Sequence, residues 1–312
     1  MKICIHISFY FNDERIKYLN KTINEINKYP HDTDIFIHTN KEIIAEEIFD
    51  KNKKGKLNII VHTKFKNNNA AYLTWKCRSL LEKQIEDYDI FIYLEDDILL
   101  YKETLDYWLK YKDLFIKHKC NVGFMRVERG SDGELYWVDG CIKMNNFAKI
   151  GNKLYLVNDV QPYCAFWIYD KNEMKLWMNK EYWDPAKTCC HQPHHILEKS
   201  SSGKIFDQGY PTVIPITQSA TPHLNCIVYH QGEKYRRHVE TSRLTTPSWP
   251  RAPWFSTIKF KEAINKKILQ DTTKTMCFKN CHQSQILCPF FYFQREHNHQ
   301  RVFQKSLFFH QD

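Results

Sequence analysis

The chain has 312 residues and a formal net charge of +9, enough for one large domain with an extension or for two modest domains. Hydrophobic residues make up 43% and charged residues 26%, with 9 Gly and 11 Pro, which excludes a collagenous or linker-rich chain. No stretch approaches the ~20 apolar residues of a membrane span, and Met1 to Ile7 reads as a strand instead of a signal peptide, so a cytoplasmic location is expected, or a peripheral one on a cytosolic membrane face.

The elements follow in order. Ile3, Ile5, Ile7 and Phe9 recur every second residue and line one face of a strand. Ile16, Leu19, Ile23 and Ile26 have helical spacing. Asp34 to Ile37 is a second strand, 40–49 reads as a helix, and Leu57 to Val61 is a third strand. Leu73, Cys77 and Leu80 share one helical face. Asp89 to Leu94 is a fourth strand, continuously apolar, as suits a strand covered on both faces. This alternation predicts a mostly parallel sheet with right-handed crossovers. Beyond residue 100 the spacing predicts a helix over 102–118, strands over 122–127, 134–138 and 164–169, a helix from about Lys171, and a last strand over 224–229. The eleven cysteines are scattered, and reduced, mostly buried thiols are expected.

Charge is unevenly placed. Residues 234–312 hold 14 Lys and Arg against 5 Asp and Glu, whereas residues 1–233 hold 31 of each sign. The whole excess therefore lies in the last quarter, which could meet phosphates, an acidic glycan or an anionic membrane surface, or simply be a solvated tail.

The sharpest chemical feature is Glu95-Asp96-Asp97, directly after the apolar fourth strand. Three adjacent acids repel one another, and the C-terminal edge of an open α/β sheet is where ligands bind. A cation there would relieve the repulsion, and oxygen ligands suit Mg²⁺ or Mn²⁺. Strand alternation, continued through the motif, would send Glu95 and Asp97 to one side and Asp96 to the other. Farther on, 224–229 ends in His230 followed by Gln231-Gly232, and an imidazole suits Mn²⁺ better than Mg²⁺.

An apolar strand ending in Glu95-Asp96-Asp97, about a hundred residues in and after three β-α units, resembles the acidic metal motif (DXD) of glycosyltransferases with the GT-A fold. The resemblance covers residues 1–240. It implies a Rossmann-type, mostly parallel central sheet flanked by helices, with residues 241–312 as a basic C-terminal extension. It implies Asp97 as metal ligand, Glu95 and Asp96 in support of it or on the donor sugar and ribose, and His230 as a further ligand. It also implies a nucleotide-sugar donor, a UDP-sugar by family habit, a glycan acceptor, and Mn²⁺ or Mg²⁺ as cofactor. The first strand's loop would then sit at the nucleotide, with Ser8 and Tyr10 as contacts, and Phe9 is read as core. The helix opening at Asn69 would favour an anion through its dipole and offer Arg78 to it, or Arg78 and Lys76 are plain surface charges. Lys234, followed by Arg236 and Arg237, could hold the diphosphate.

Removing a proton from the acceptor hydroxyl calls for a carboxylate; the candidates are Asp159, Glu181 and Asp184. Asp184 precedes a proline and is equally suited to capping a helix. No clean copy of the family's usual base motif is present. Trp167, Trp177 and Trp183 could stack on sugars, with core packing the safer reading. Cys189-Cys190-His191 with His194-His195 does not match zinc-site spacing, while the looser tail set Cys277, Cys281, His282, Cys288, His297 and His299 reads either as a small zinc module or as reduced thiols among aromatics. A nucleotidyltransferase is the rival enzyme, but the first loop, Phe9-Tyr10-Phe11-Asn12, lacks the glycines it would need. A non-enzymatic binder working through the basic tail is the remaining alternative, and no nucleic-acid partner is expected.

Overall fold

A computed structural model describes residues 1–44, 55–138, 143–188, 195–233 and 257–277. The chain runs β1 (Lys2–Phe9), α1 (Ile16–Ile26), β2 (Asp32–Thr39), β3 (Leu57–Val61), α2 (Arg78–Gln84), β4 (Ile90–Glu95) and β5 (Ile98–Leu99). It continues through α3 (Lys102–Lys117), β6 (Asn121–Val122), β7 (Met125–Arg129), β8 (Leu135–Val138), β9 (Phe147–Ile150) and β10 (Lys153–Val157). Then come β11 (Phe166–Asp170), α4 (Lys171–Met178), α5 (Ile196–Gln208), β12 (Thr212–Pro215), β13 (Ile227–His230), β14 (Thr257–Lys259) and α6 (Lys266–Cys277).

The first sheet has the order β11-β4-β1-β2-β3. β3, β2, β1 and β4 are mutually parallel, and β11 joins β4 antiparallel. One face, carrying Ile3, Ile5, Ile7 and Phe9, packs on Leu19 and Ile23 of α1 and Leu105 and Trp108 of α3. The other face, with Cys4, Phe91, Tyr93 and Trp167, packs on Leu81 of α2 and Met174 and Trp177 of α4. Double coverage explains why β4 is apolar at every position from Ile90 to Leu94.

The expectation of one mostly parallel sheet needs correction. The architecture is α/β with three mixed sheets; the second has the order β6-β12-β10-β9 and the third β14-β8-β7-β13-β5. Short connections explain the mixture. β9 and β10 are separated by Gly151 and Asn152 alone, with Gly151 at φ +59°; β7 turns back onto β8 through Gly130–Gly133. Such loops can join only antiparallel neighbours. The region expected as one strand over 122–127 divides into β6 and β7, and 224–229 begins as a 3-10 turn, Leu224–Cys226, before β13. The helix expected over 40–49 does not start by Ile44, and 45–49 lie outside the described residues. β14 pairs with β8, so residues 257–259, within the span read as an extension, complete the third sheet. Cys4, Cys77, Cys120, Cys164 and Cys226 are buried and not in disulfides, as expected. Among the described residues no helix is long and apolar enough to cross a membrane.

Three imidazoles cross the first sheet in a hydrogen-bonded row. Gln84 Oε1 lies 3.0 Å from His6 Nε2, His6 Nδ1 2.8 Å from His38 Nε2, and His38 Nδ1 2.9 Å from His62 Nε2. An amide oxygen only accepts, so each ring must carry its proton on Nε2 and accept on Nδ1. Burial lowers the His6 pKa to about 3 and, with the neighbouring histidines, takes that of His38 well below its ordinary value. Unfolded, both rings would take a proton near ~6.5. Their contribution to stability is thus complete above that pH and is lost as pH falls toward the folded value, by about 1.4 kcal/mol per pH unit for each ring. We predict that long-range ¹H–¹⁵N spectra at pH 5 show His6 and His38 neutral with Nε2–H; protonation of either ring near pH 6.5 would mean that the row is not formed.

Candidate functional site

The site is built where β4 ends. Backbone pairing fixes Glu95, whose N–H donates to Ala165 O at 3.1 Å, and Asp96, whose N–H donates to Ser8 O at 3.1 Å. The strand stops at Glu95 and the chain turns through Asp96 and Asp97 into β5. Strand alternation therefore does not extend through the motif. The two aspartates instead share one guanidinium: Arg15 Nε and Nη2 donate to Asp96 at 2.8 and 2.6 Å, and Nη2 lies 3.1 Å from Asp97 Oδ2. Part of the counter-charge that the motif demands thus comes from the chain itself.

The second half of the site arrives with β13. Its antiparallel register on β5 places His230 opposite Ile98, and Gln231 N–H donates to Asp97 O at 2.8 Å. His230 Nε2 is consequently 3.2 Å from Asp97 Oδ2, and Nδ1 is 2.6 Å from Glu128 Oε1. Burial opposes the imidazolium, but the hydrogen bonds to Asp97 and Glu128 outweigh it and hold the His230 pKa above its ordinary value. Thr22 Oγ1 straps the turn to α1, donating at 3.2 Å toward the carbonyls of Asp96 and Ile98.

Glu95 is held from the other side, by the phenol of Tyr163 at 3.2 Å, and the Arg126 guanidinium lies 4.8 Å from the centre of that phenol ring. Burial and the charge on Asp97 push Glu95 up to about 8, against the pull of Arg126. Burial likewise pushes Asp96 up to about 7, opposed by its hydrogen bonds from Arg15.

Among the described residues no group of three or more His, Cys, Asp or Glu is arranged as a ready metal cluster. Two donor atoms do converge. Neighbouring corners of an octahedron with ~2.1 Å bonds are about 3 Å apart, and Asp97 Oδ2 and His230 Nε2 are 3.2 Å apart. Gly232 leaves the space beside both open: a Cβ there would come within 3.1 Å of His230 Cε1 and 3.8 Å of Asp97 Oδ2. One carboxylate and one imidazole are suitable donors for an ion that takes its remaining oxygens from phosphate and water, and the same Asp97 Oδ2 also lies 3.1 Å from Arg15 Nη2. Asp97 and His230 are therefore in contact, and Glu95 is near enough for the charge on Asp97 to act on it.

The other candidates fall in several places. Ser8 contributes its carbonyl to the motif, while its hydroxyl pairs with Tyr93 Oη at 2.8 Å. Tyr10 is 49% exposed at the end of β1, its ring 6.4 Å from that of Phe65. Arg78 is not brought to the motif. Its buried guanidinium sits 3.8 Å from the Trp75 ring and 4.6 Å from Trp183, and it donates to the carbonyls of Tyr182, Trp183 and Ser200. Burial lowers its pKa to about 9. Asp159 accepts from Asn146 Nδ2 at 2.7 Å through Oδ2, while Oδ1 is buried without a hydrogen-bond partner; burial raises its pKa. Asp184 caps a turn through Ala186 N–H at 2.8 Å, and Glu181 is exposed in the preceding 3-10 turn. Trp167, Trp177 and Trp183 are core, with edge-to-face contacts of 5.0 Å between Trp177 and each of the other two. Lys234, Cys189, Cys190, His191 and His194 lie outside the described residues, as does the tail set except Cys277, which ends α6.

Sequence reasoning passed over Arg15, Glu128 and Tyr163. Glu128 and Arg126 alternate with apolar Met125 and Val127 along β7, a pattern that sends two opposite charges to one face and was the available signal. Arg15 sits in the polar run Asn12–Arg15 and carries no such mark. No protein-family model matches the chain, and a search of characterised proteins gives no significant match.

Removing Arg15 leaves two buried carboxylates without their shared partner. Breaking a fully buried pair costs ~3–5 kcal/mol, and the Arg15 side chain is 33% exposed. Arg15→Met is therefore predicted to lose about 2–3 kcal/mol in urea unfolding; a loss below ~0.5 kcal/mol would place the guanidinium in solvent.

Proposed function

We propose that the chain is a metal-dependent glycosyltransferase that moves a sugar from a nucleotide-diphospho-sugar, a UDP-sugar in the first instance, to a hydroxyl of a glycan. The observation that carries this reading is the meeting of Asp97 and His230 just beyond the C-terminal end of β4, a strand parallel to β1. That edge is where open α/β sheets take their ligands, and the order β3-β2-β1-β4 is consistent with a Rossmann-type, GT-A-like core. Asp97 and His230 would hold Mn²⁺ or Mg²⁺, with Glu95 beside them. When bound, the cation would neutralise the diphosphate as it leaves.

The chain's own residues would do the rest. Arg15 keeps Asp96 and Asp97 oriented and adds positive charge at the mouth of the site. Tyr10, exposed beside Phe65, offers a face on which a base can stack. Asp159 would be the base on this reading. It lies in the loop between β10 and β11, the loop that carries Tyr163 to Glu95, and one of its oxygens has no other hydrogen bond. It would take the acceptor hydroxyl's proton as that oxygen bonds to the anomeric carbon and the nucleoside diphosphate departs.

Turnover can be followed as nucleoside diphosphate release from a panel of nucleotide-sugars with Mn²⁺ and short glycan acceptors. Asp97→Ala is predicted to cut turnover at least ~100-fold without unfolding the protein, and Asp159→Asn to lower it ~10²–10⁴-fold. A fully active Asp97→Ala protein would overturn the metal-dependent reading. Pyrophosphate release from a nucleoside triphosphate and a sugar phosphate would point to the nucleotidyltransferase instead.

A further inference from the structure

Glu128 is 0% exposed, in the middle of the third sheet. Sequestering a carboxylate costs several kcal/mol unless close partners compensate for it, and an apolar side chain would fill a strand position more favourably. Its Oε1 lies 2.6 Å from His230 Nδ1. The parallel register of β7 on β13, with Val127 opposite Tyr229, fixes that contact. A carboxylate only accepts, so the proton of this bond is on Nδ1 and the other nitrogen, Nε2, faces Asp97. Gly232 prevents the ring from being crowded on its Nε2 edge.

We propose that Glu128 is a positioning residue: it holds the His230 imidazole with Nε2 presented beside Asp97, and thereby sets the affinity of this pair for a divalent cation. The proposal rests on the glycosyltransferase reading for its choice of cation. The physical basis is general. A carboxylate on the far nitrogen of a ligating histidine fixes its tautomer and ring angle and raises its basicity, and losing such a partner weakens metal binding ~10–100-fold. The alternative is a purely structural role, in which Glu128 and His230 only join β7 to β13.

The test is Mn²⁺ binding to the full chain without any donor, read by the loss of the free-ion EPR signal, for wild type, Glu128→Gln, Glu128→Leu and Asp97→Ala. Glu128→Gln keeps a neutral acceptor for Nδ1–H and is expected to bind ~10-fold more weakly; Glu128→Leu, with none, ~100-fold more weakly. Thermal unfolding in EDTA serves as the control, and if Glu128→Leu does not fold, Glu128→Gln carries the test. Weaker binding by folded variants supports positioning. Lower stability with unchanged Mn²⁺ affinity means that Glu128 is only structural. If Asp97→Ala loses binding and the Glu128 variants do not, the metal site stands and the inference about Glu128 falls. If wild type takes up no Mn²⁺, both fall.

Discussion

The antiparallel pairing of β5 with β13 is the contact on which the site depends. It spans only Leu99 with Tyr229 and Ile98 with His230, yet it brings a residue more than a hundred positions away to the acidic turn. With it comes the problem of placing four carboxylates, Glu95, Asp96, Asp97 and Glu128, close together and largely out of water. Isolated, each would cost several kcal/mol. The chain answers with Arg15 across Asp96 and Asp97, His230 between Asp97 and Glu128, and Arg126 near Glu95. The network is thus interlocked, and changing one member leaves another uncompensated.

The two sheets that meet here have different tasks. The first, with its parallel strands covered on both faces, is a rigid platform that ends in the acidic motif. The third is assembled from short hairpin strands and delivers His230 and Glu128. Behind the platform, Arg78 ties three carbonyls together within a cage of tryptophans. That cage anchors α5 through Ser200 and the 181–184 turn through Tyr182 and Trp183.

Much of the platform was legible in the sequence because its signals are local and periodic. Every-second-residue apolar runs marked β1 and β4, and helical spacing marked α1 and α3. Asp97 and His230 were legible as charged or ligating residues at the ends of such runs. Other features had no local signal. β5 and β6 are two residues long, too short for any period. α5 contains Ser200-Ser201-Ser202, weak helix formers without an apolar period, yet all three are buried where small side chains let the helix approach the aromatic layer. Arg15 lies in what reads as a solvated polar run, and only the fold, 81 positions later, shows its partner. Arg78 shows the opposite case: a charge at the start of a helix suggests an anion, whereas here tryptophan faces and carbonyls surround it.

On the proposed reading, Asp97 and His230 form a cation-assisted site for a nucleoside diphosphate. The most direct measurement is thermal unfolding with a panel of nucleoside diphosphates and nucleotide-sugars, each with and without Mn²⁺, because a ligand of the native state raises the unfolding temperature by mass action. The expected result is a rise that requires both one nucleotide and the metal. No rise with any nucleotide, together with stabilisation by polyanions alone, would contradict it and favour a charge-driven binding protein.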